Sequence, residues 1–170
     1  MMLYVLTFII SLLLIVVAFQ FQELLVEFKS LGLLGIFLIN FFGSATLFLP
    51  APAIASVFAG GALYSPLLVA LTSSIGGALG EMVGFFLGHS GHHMVFKTHK
   101  RLWRERIGNV LHRYGDILIF LFALIPNPVF DIIGIAAGFV AYSPLRFFIA
   151  LLLGRLVRNI LLAYFGARLI

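Results

Sequence analysis

Apolar residues fill this chain in stretches of a length suited to a bilayer, and prolines, glycines and one basic segment set the breaks between them. Residues 3–19 are the first stretch, 17 residues without a charge, at the short end of what one crossing needs. A polar connector with Glu23, Glu27 and Lys29 follows, and then 51 consecutive uncharged residues from Ser30 to Gly80. At about 1.5 Å per helical residue this run exceeds twice the ~30 Å hydrocarbon thickness, so it must fold back. Pro50-Ala51-Pro52 is the break, because two close prolines remove amide donors and push the preceding residues out of helical geometry. A short arm follows, with a turn expected at Ala59-Gly60-Gly61, and Pro66 then opens a spanning helix over 66–88.

Residues 89–113 are the extended polar stretch and hold all five histidines. Phe96, Trp103, Ile107, Val110 and Tyr114 recur there at helical spacing, which predicts an interfacial helix on an anionic leaflet. From Asp116 to Tyr142 the chain is apolar again, interrupted by Pro126-Asn127-Pro128, with an arm of 11 residues before the interruption (115–125) and one of 14 after it (129–142). Neither arm reaches across a bilayer, so each is expected to dip in and return, its unpaired backbone housed in protein or beside water. Ser143-Pro144 opens a last helix reaching about Gly166.

Shifting the chain by 78 residues exposes an internal repeat, with ten identities in 39 aligned pairs between 50–88 and 128–166. Pro50 meets Pro128, Ala59-Gly60 meets Ala137-Gly138, Tyr64-Ser65-Pro66-Leu67 meets Tyr142-Ser143-Pro144-Leu145, Gly76 meets Gly154 and Gly88 meets Gly166. With a small gap, Gly32 and Ile36-Phe37 also match Gly115 and Ile119-Phe120. Each half is thus expected to be a re-entrant hairpin with a proline tip (Pro50 and Pro52; Pro126 and Pro128) followed by one spanning helix. A single net crossing per half makes the halves inverted, the pattern of transporters that keep their site near the midplane. The expected fold is an all-α membrane protein: an N-terminal transmembrane helix and connector over 1–30, then a domain over 31–170. Within that domain 31–91 is the first repeat, 92–113 the basic loop and 114–170 the second, inverted repeat.

Composition excludes a soluble globule, since 62% of the 170 residues are hydrophobic and 10% charged, against about 45–50% and about 25% in soluble domains. The net charge of +5 is concentrated, with six of eleven Lys/Arg within residues 97–113, the mark of a cytoplasm-facing loop and not of nucleic-acid binding. With that loop inside, the N-terminus is expected inside and the C-terminus outside, provided residues 32–49 are a hairpin arm; at 18 residues that stretch could also span on its own. The stretch before Gln20 has no basic residue ahead of it and no small-x-small cleavage site, which favours a retained anchor. Without cysteine there is no disulfide, thiol chemistry or thiolate metal site. No nucleophile–base pair, phosphate loop or metalloprotease helix is present, so no enzyme and no cofactor is expected.

The order of these features carries a resemblance. Gly77-Ala78-Leu79-Gly80-Glu81 with Phe85 and Gly88, and Phe122 through Pro126 to Ala137-Gly138, resemble the two motifs of the DedA family, also called VTT-domain or SNARE-associated Golgi proteins. The likeness spans about residues 31–166. Ala123 stands where bacterial members usually carry arginine, and Asn127 is similar to the Pro-Asn of the eukaryotic lipid-scrambling branch. The resemblance implies movement of phospholipid or lipid-linked phosphate, such as a polyprenyl phosphate, in the plasma membrane of a bacterium or archaeon. It also suggests proton coupling in some bacterial members.

Five ionisable or polar positions are candidates for that chemistry or its alternatives. Glu81 and Asp131 fall inside apolar segments, where ionisable groups face a cavity or a partner. Arg155 and Arg158 share one helix face and replace Gly77 and Gly80 of the first repeat. They are expected to bind a phosphate head group through planar donor forks, with Asn127 adding neutral hydrogen bonds and Glu81 and Asp131 balancing charge or taking a proton. Structural ion pairs between these carboxylates and arginines are the plainer alternative. His89, His92, His93 and His99 cluster without a nearby carboxylate, so no metal site is expected, and a pH-sensing role stays open. Membrane lipids are the expected partners, a homo-oligomer stays open, and a proton-coupled solute carrier or a non-transporting scaffold are the competing functions.

Overall fold

The computed structural model of the chain describes residues 5, 9, 31–46, 50–95, 101–125 and 129–169, of which 50, 51, 92–95, 101–109, 112, 129–131 and 169 are described through the backbone alone. The first expected helix is therefore described only at Val5 and Ile9, both helical and exposed. The tip residues Pro126, Asn127 and Pro128 lie outside the described residues, as do the side chains of Pro50 and Asp131.

Among the described residues the chain forms six helices and no strand: α1 Leu33–Ala45, α2 Pro50–Leu63, α3 Pro66–Val95, α4 Arg101–Leu124, α5 Val129–Phe139 and α6 Pro144–Leu169. Prolines punctuate the chain for a simple reason: at the first helical position the missing N–H is one that no intrahelical acceptor would have taken. Pro50, Pro66 and Pro144 each begin a helix in this way. At the start of α1, Gly32 takes a φ of 61°, in the left-handed region. At its end the Thr46 amide donates to the Phe42 carbonyl and the Thr46 hydroxyl to the Gly43 carbonyl, 3.0 Å away.

The lengths differ in kind. α3 and α6 are long and apolar enough to cross a membrane, whereas α1, α2 and α5 have 13, 14 and 11 residues. At 1.5 Å per residue these three extend about 16–21 Å, short of a ~30 Å core.

Three boundaries depart from the sequence expectation. α3 does not stop at Gly88 but runs through His89 to Val95. The expected turn at Ala59-Gly60-Gly61 is helix, and so is Ala137-Gly138; these glycines serve close packing instead. Residues 101–113 of the basic segment and the first arm of the second hairpin are one helix, α4; no proline separates them, and the Tyr142 ring covers Gly115.

The chain turns after α5 at Ala141, whose φ is 56°. The Tyr142 amide donates to the Ala137 carbonyl and the Ala141 amide to the Gly138 carbonyl, both at 3.0 Å, the paired bonds of a Schellman ending. Glycine usually holds the left-handed position, and alanine there is strained by about 1–2 kcal/mol. Ala141→Gly should therefore stabilise the protein by about 0.5–1 kcal/mol after the unfolded-chain entropy of glycine is subtracted. A raised thermal unfolding midpoint in detergent is the check, and a lowered one would contradict it.

Packing follows a crossed plan. α1 lies on α3 and α4 on α6, while the second short helix of each half lies against the long helix of the other, α2 on α6 and α5 on α3. The glycine contacts repeat across the halves. A Cβ on Gly76 would meet the Phe37 carbonyl, and one on Gly154 the Phe120 carbonyl, each at 2.5 Å. Gly61 and Gly166 of one seam abut the backbone of Ala163 and Phe58, and Gly138 and Gly88 of the other abut that of Phe85 and Ile135. Partner numbers fall along α3 as they rise along α6, Glu81 with Arg155 and then Ser73 with Asn159, so the two long helices run antiparallel.

Two apolar cores result. One gathers Phe85, Ile119, Ala137, Phe147 and Leu151, and the other Ile36, Val57, Val69 and Ala163. Buried polar groups occupy the stretch of α3 and α6 between them.

Candidate functional site

The middle of the α3–α6 seam is where charge enters the protein. Glu81 and Arg155 are 5% and 6% exposed, and Arg155 Nη2 donates to Glu81 Oε1. The midpoints of the two apolar spans, Pro66–Gly91 and Pro144–Arg168, lie within three residues of this pair, about 4 Å along either axis. Glycine makes the pair sterically feasible. A Cβ on Gly77 would strike Arg155 Nη1, so the bare backbone of α3 opens the space that the guanidinium fills. Residues 77 and 155 are equivalent positions of the repeat, and across this seam only one of them has room for a side chain.

Arg158 sits one turn further along α6, partly buried, where its charge acts on both Arg155 and Glu81. Its Nε donates to Asn159 Oδ1 at 3.1 Å. Asn159 is fully buried and donates in turn to the hydroxyls of Ser73, at 2.9 Å, and Ser74, at 3.1 Å. Glu81 Oε2 has no hydrogen-bond partner among the described residues. The ion pairs of those residues are Arg155–Glu81 and Arg146–Asp116, so Arg158 carries a positive charge that no described carboxylate pairs.

The structure thus brings together Glu81, Arg155 and Arg158 of the expected site residues. The side chain of Asp131 and all of Asn127 lie outside the described residues. Sequence reasoning missed Asn159, Ser73 and Ser74 as site groups; the signal available was the repeat itself, which aligns Asn159 with Glu81. It also missed Asn40, buried on α1, whose amide donates to the Ile36 carbonyl at 2.8 Å and to Ser56 Oγ at 3.0 Å. Of the histidine cluster only the His89 side chain is described, stacked on Phe85. Among the described residues no group of three His, Asp or Glu is arranged to hold a metal ion.

A second polar group closes the bundle at the start of α6. Asp116 accepts from the Tyr142 hydroxyl and from both Arg146 Nε, at 3.2 Å, and Arg146 Nη2. The Arg146 bonds and then the Tyr142 bond hold the Asp116 carboxyl below its usual range. Burial, and next the bond to Asp116, push the Tyr142 phenol up to about 12. Since Asp116 is more acidic when folded, its stabilisation is present above the ordinary carboxylate pKa and is lost as pH falls through the folded value. The ion pair is about half exposed, so Asp116→Asn should cost under about 1 kcal/mol. It should also flatten the acid limb of the stability–pH curve below about pH 4. Parallel acid limbs in variant and wild type would contradict this.

A family model described as the VTT domain matches residues 49–168, from α2 through α6. No curated protein and no solved structure matches the chain. The family match covers more than half of the chain and takes in both apolar spanning helices and the charged seam between them, and on that ground this membrane protein belongs to the VTT-domain family, the family of the DedA and SNARE-associated Golgi proteins.

Proposed function

We propose that this chain moves phospholipid or lipid-linked phosphate across the bilayer, the head group passing between two inverted halves while the acyl tails stay in hydrocarbon. The observation that carries the reading is Arg158, a cation without a described carboxylate partner, beside a buried Glu81–Arg155 pair near mid-span. A charge at that depth is costly and is held where a substrate or counter-ion meets it. The antiparallel long helices and the matched glycine contacts support the inversion, and the three short helices support hairpins that enter and leave on one side. On this reading 89–113 and the N-terminus face the cytoplasm, in the plasma membrane of a bacterium or archaeon, and the protein is a carrier and not an enzyme.

The test is reconstitution into liposomes with labelled phosphatidylglycerol, phosphatidylethanolamine and a polyprenyl phosphate. Flipping faster than in empty vesicles is the expected result, and none in excess for any of these lipids refutes the reading. A second reading, a proton-coupled carrier of a small solute, draws on Glu81 Oε2, which has no partner among the described residues. Glu81→Gln separates the two, because it should abolish uptake driven by a pH gradient while passive lipid flipping continues.

A further inference from the structure

Asn159 faces two ways, and only one orientation of its amide satisfies both faces. Arg158 Nε can only donate, so the oxygen Oδ1 must turn toward it, at 3.1 Å. The nitrogen then points to α3, where the hydroxyls of Ser73 and Ser74 accept. Two anchors on a neighbouring helix leave the amide of a fully buried residue no freedom to rotate. With Nε engaged, the two terminal amino groups of Arg158 have no hydrogen-bond partner among the described residues. They are the part of the guanidinium that suits bidentate contact with an oxyanion.

The repeat sharpens the point. Positions 81 and 159 are equivalent in the two halves, and each accepts a hydrogen bond from an arginine of α6, Glu81 from Arg155 and Asn159 from Arg158. The first acceptor is charged and cancels its arginine. The second is neutral, and it orients its arginine without cancelling it.

We propose that Asn159 is a positioning residue, which aims the terminal amino groups of Arg158 at a phosphate-type oxyanion and, being neutral, leaves that arginine its charge for the ligand. The inference rests on the translocation reading for the nature of the cargo, but not for the existence of the anion site. Asn159→Asp is the informative change: the shape is kept, and the serine hydroxyls can turn to donate to the new carboxylate, Ser73 giving up its 3.2 Å bond to the Ala70 carbonyl. The fold should survive while Arg158 is neutralised.

The test measures, for the purified full chain in neutral detergent, the thermal unfolding midpoint against the concentration of dioctanoyl-phosphatidylglycerol or of inorganic phosphate. Wild type should be stabilised by at least one of the two probes. Asn159→Asp should keep the unliganded midpoint and lose at least about tenfold in apparent affinity. The double change Ser73→Ala with Ser74→Ala, which frees the amide without altering any charge, should weaken binding by a smaller factor, and it decides the matter if Asn159→Asp does not fold. A response to the lipid alone identifies a head group, and a response to inorganic phosphate as well identifies a free anion; either supports the proposal. A merely structural Asn159 would lower the midpoint and leave affinity as in wild type, and that result overturns the proposal, as does a wild type that responds to neither probe. Lipid flipping is scored separately: a protein that binds the probe yet flips nothing refutes translocation and leaves the role of Asn159 standing.

Discussion

Arg155→Leu should lower the unfolding free energy by about 3–5 kcal/mol, because it strands the Glu81 carboxylate, 5% exposed, with neither of its oxygens bonded to a described partner. The loss arises less from the attraction removed than from the solvation that the orphaned carboxylate cannot recover at mid-span. Replacing both partners, Glu81→Leu with Arg155→Leu, removes the stranded charge along with its mate and should restore most of the stability, since apolar substitutes for buried ion pairs are often neutral or better. Chemical or thermal unfolding in detergent measures both effects. If the pair serves folding alone, the double variant keeps whatever lipid flipping the wild type shows in liposomes. If it lines the route of a head group, the double variant is folded and inactive. A double variant as unstable as the single one would show that the pair is held for its geometry, not merely tolerated.

Gly166→Leu and Gly138→Leu are expected to be as damaging for a different reason. A side chain at either position meets backbone of another helix, Phe58 from Gly166 and Phe85 from Gly138, and a main-chain carbonyl cannot swing aside as a side-chain tip can. The helices must part along the whole seam, which places the cost at the upper end of overpacking, about 3 kcal/mol or more. Gly91 is the control on the same helix as Phe85, with nothing within 4 Å of its Cβ position. There Gly91→Ala should be neutral or stabilising by up to about 1 kcal/mol through helix propensity. Comparing the folded yield and unfolding midpoint of the three proteins tests the seam directly, and equal behaviour at all three sites would rule it out.

Much of this architecture is legible in the sequence because its punctuation is local. Pro66 and Pro144 mark helix starts whatever surrounds them, and the apolar runs after them are long enough to read as crossings. The glycines mislead for the opposite reason. Gly60 and Gly61 look like a turn when only neighbours in sequence are considered, yet the helix continues through them, and the space beside Gly61 is taken by Ala163, about a hundred residues away. The continuity of α4 is hidden in the same way, since a segment that changes from basic to apolar reads as two elements until Tyr142 is seen lying on Gly115. At the site, the arginines stand out as a break in the repeat, and their opposite number Gly77 stands out too, but nothing in one dimension says that the two positions face each other. Asn159 is quieter still. An amide in an apolar helix shows its use only when Ser73 and Ser74 come across from α3.

The crossing over of the short helices has a consequence for ancestry. The second helix of each half packs more extensively on the long helix of the other half than on any helix of its own, α2 on α6 and α5 on α3. A primordial gene encoding one such half would have made a product unable to bury its glycine seams by itself. Burying them would have required a second molecule whose long helix lay antiparallel to the first, as α3 and α6 now lie.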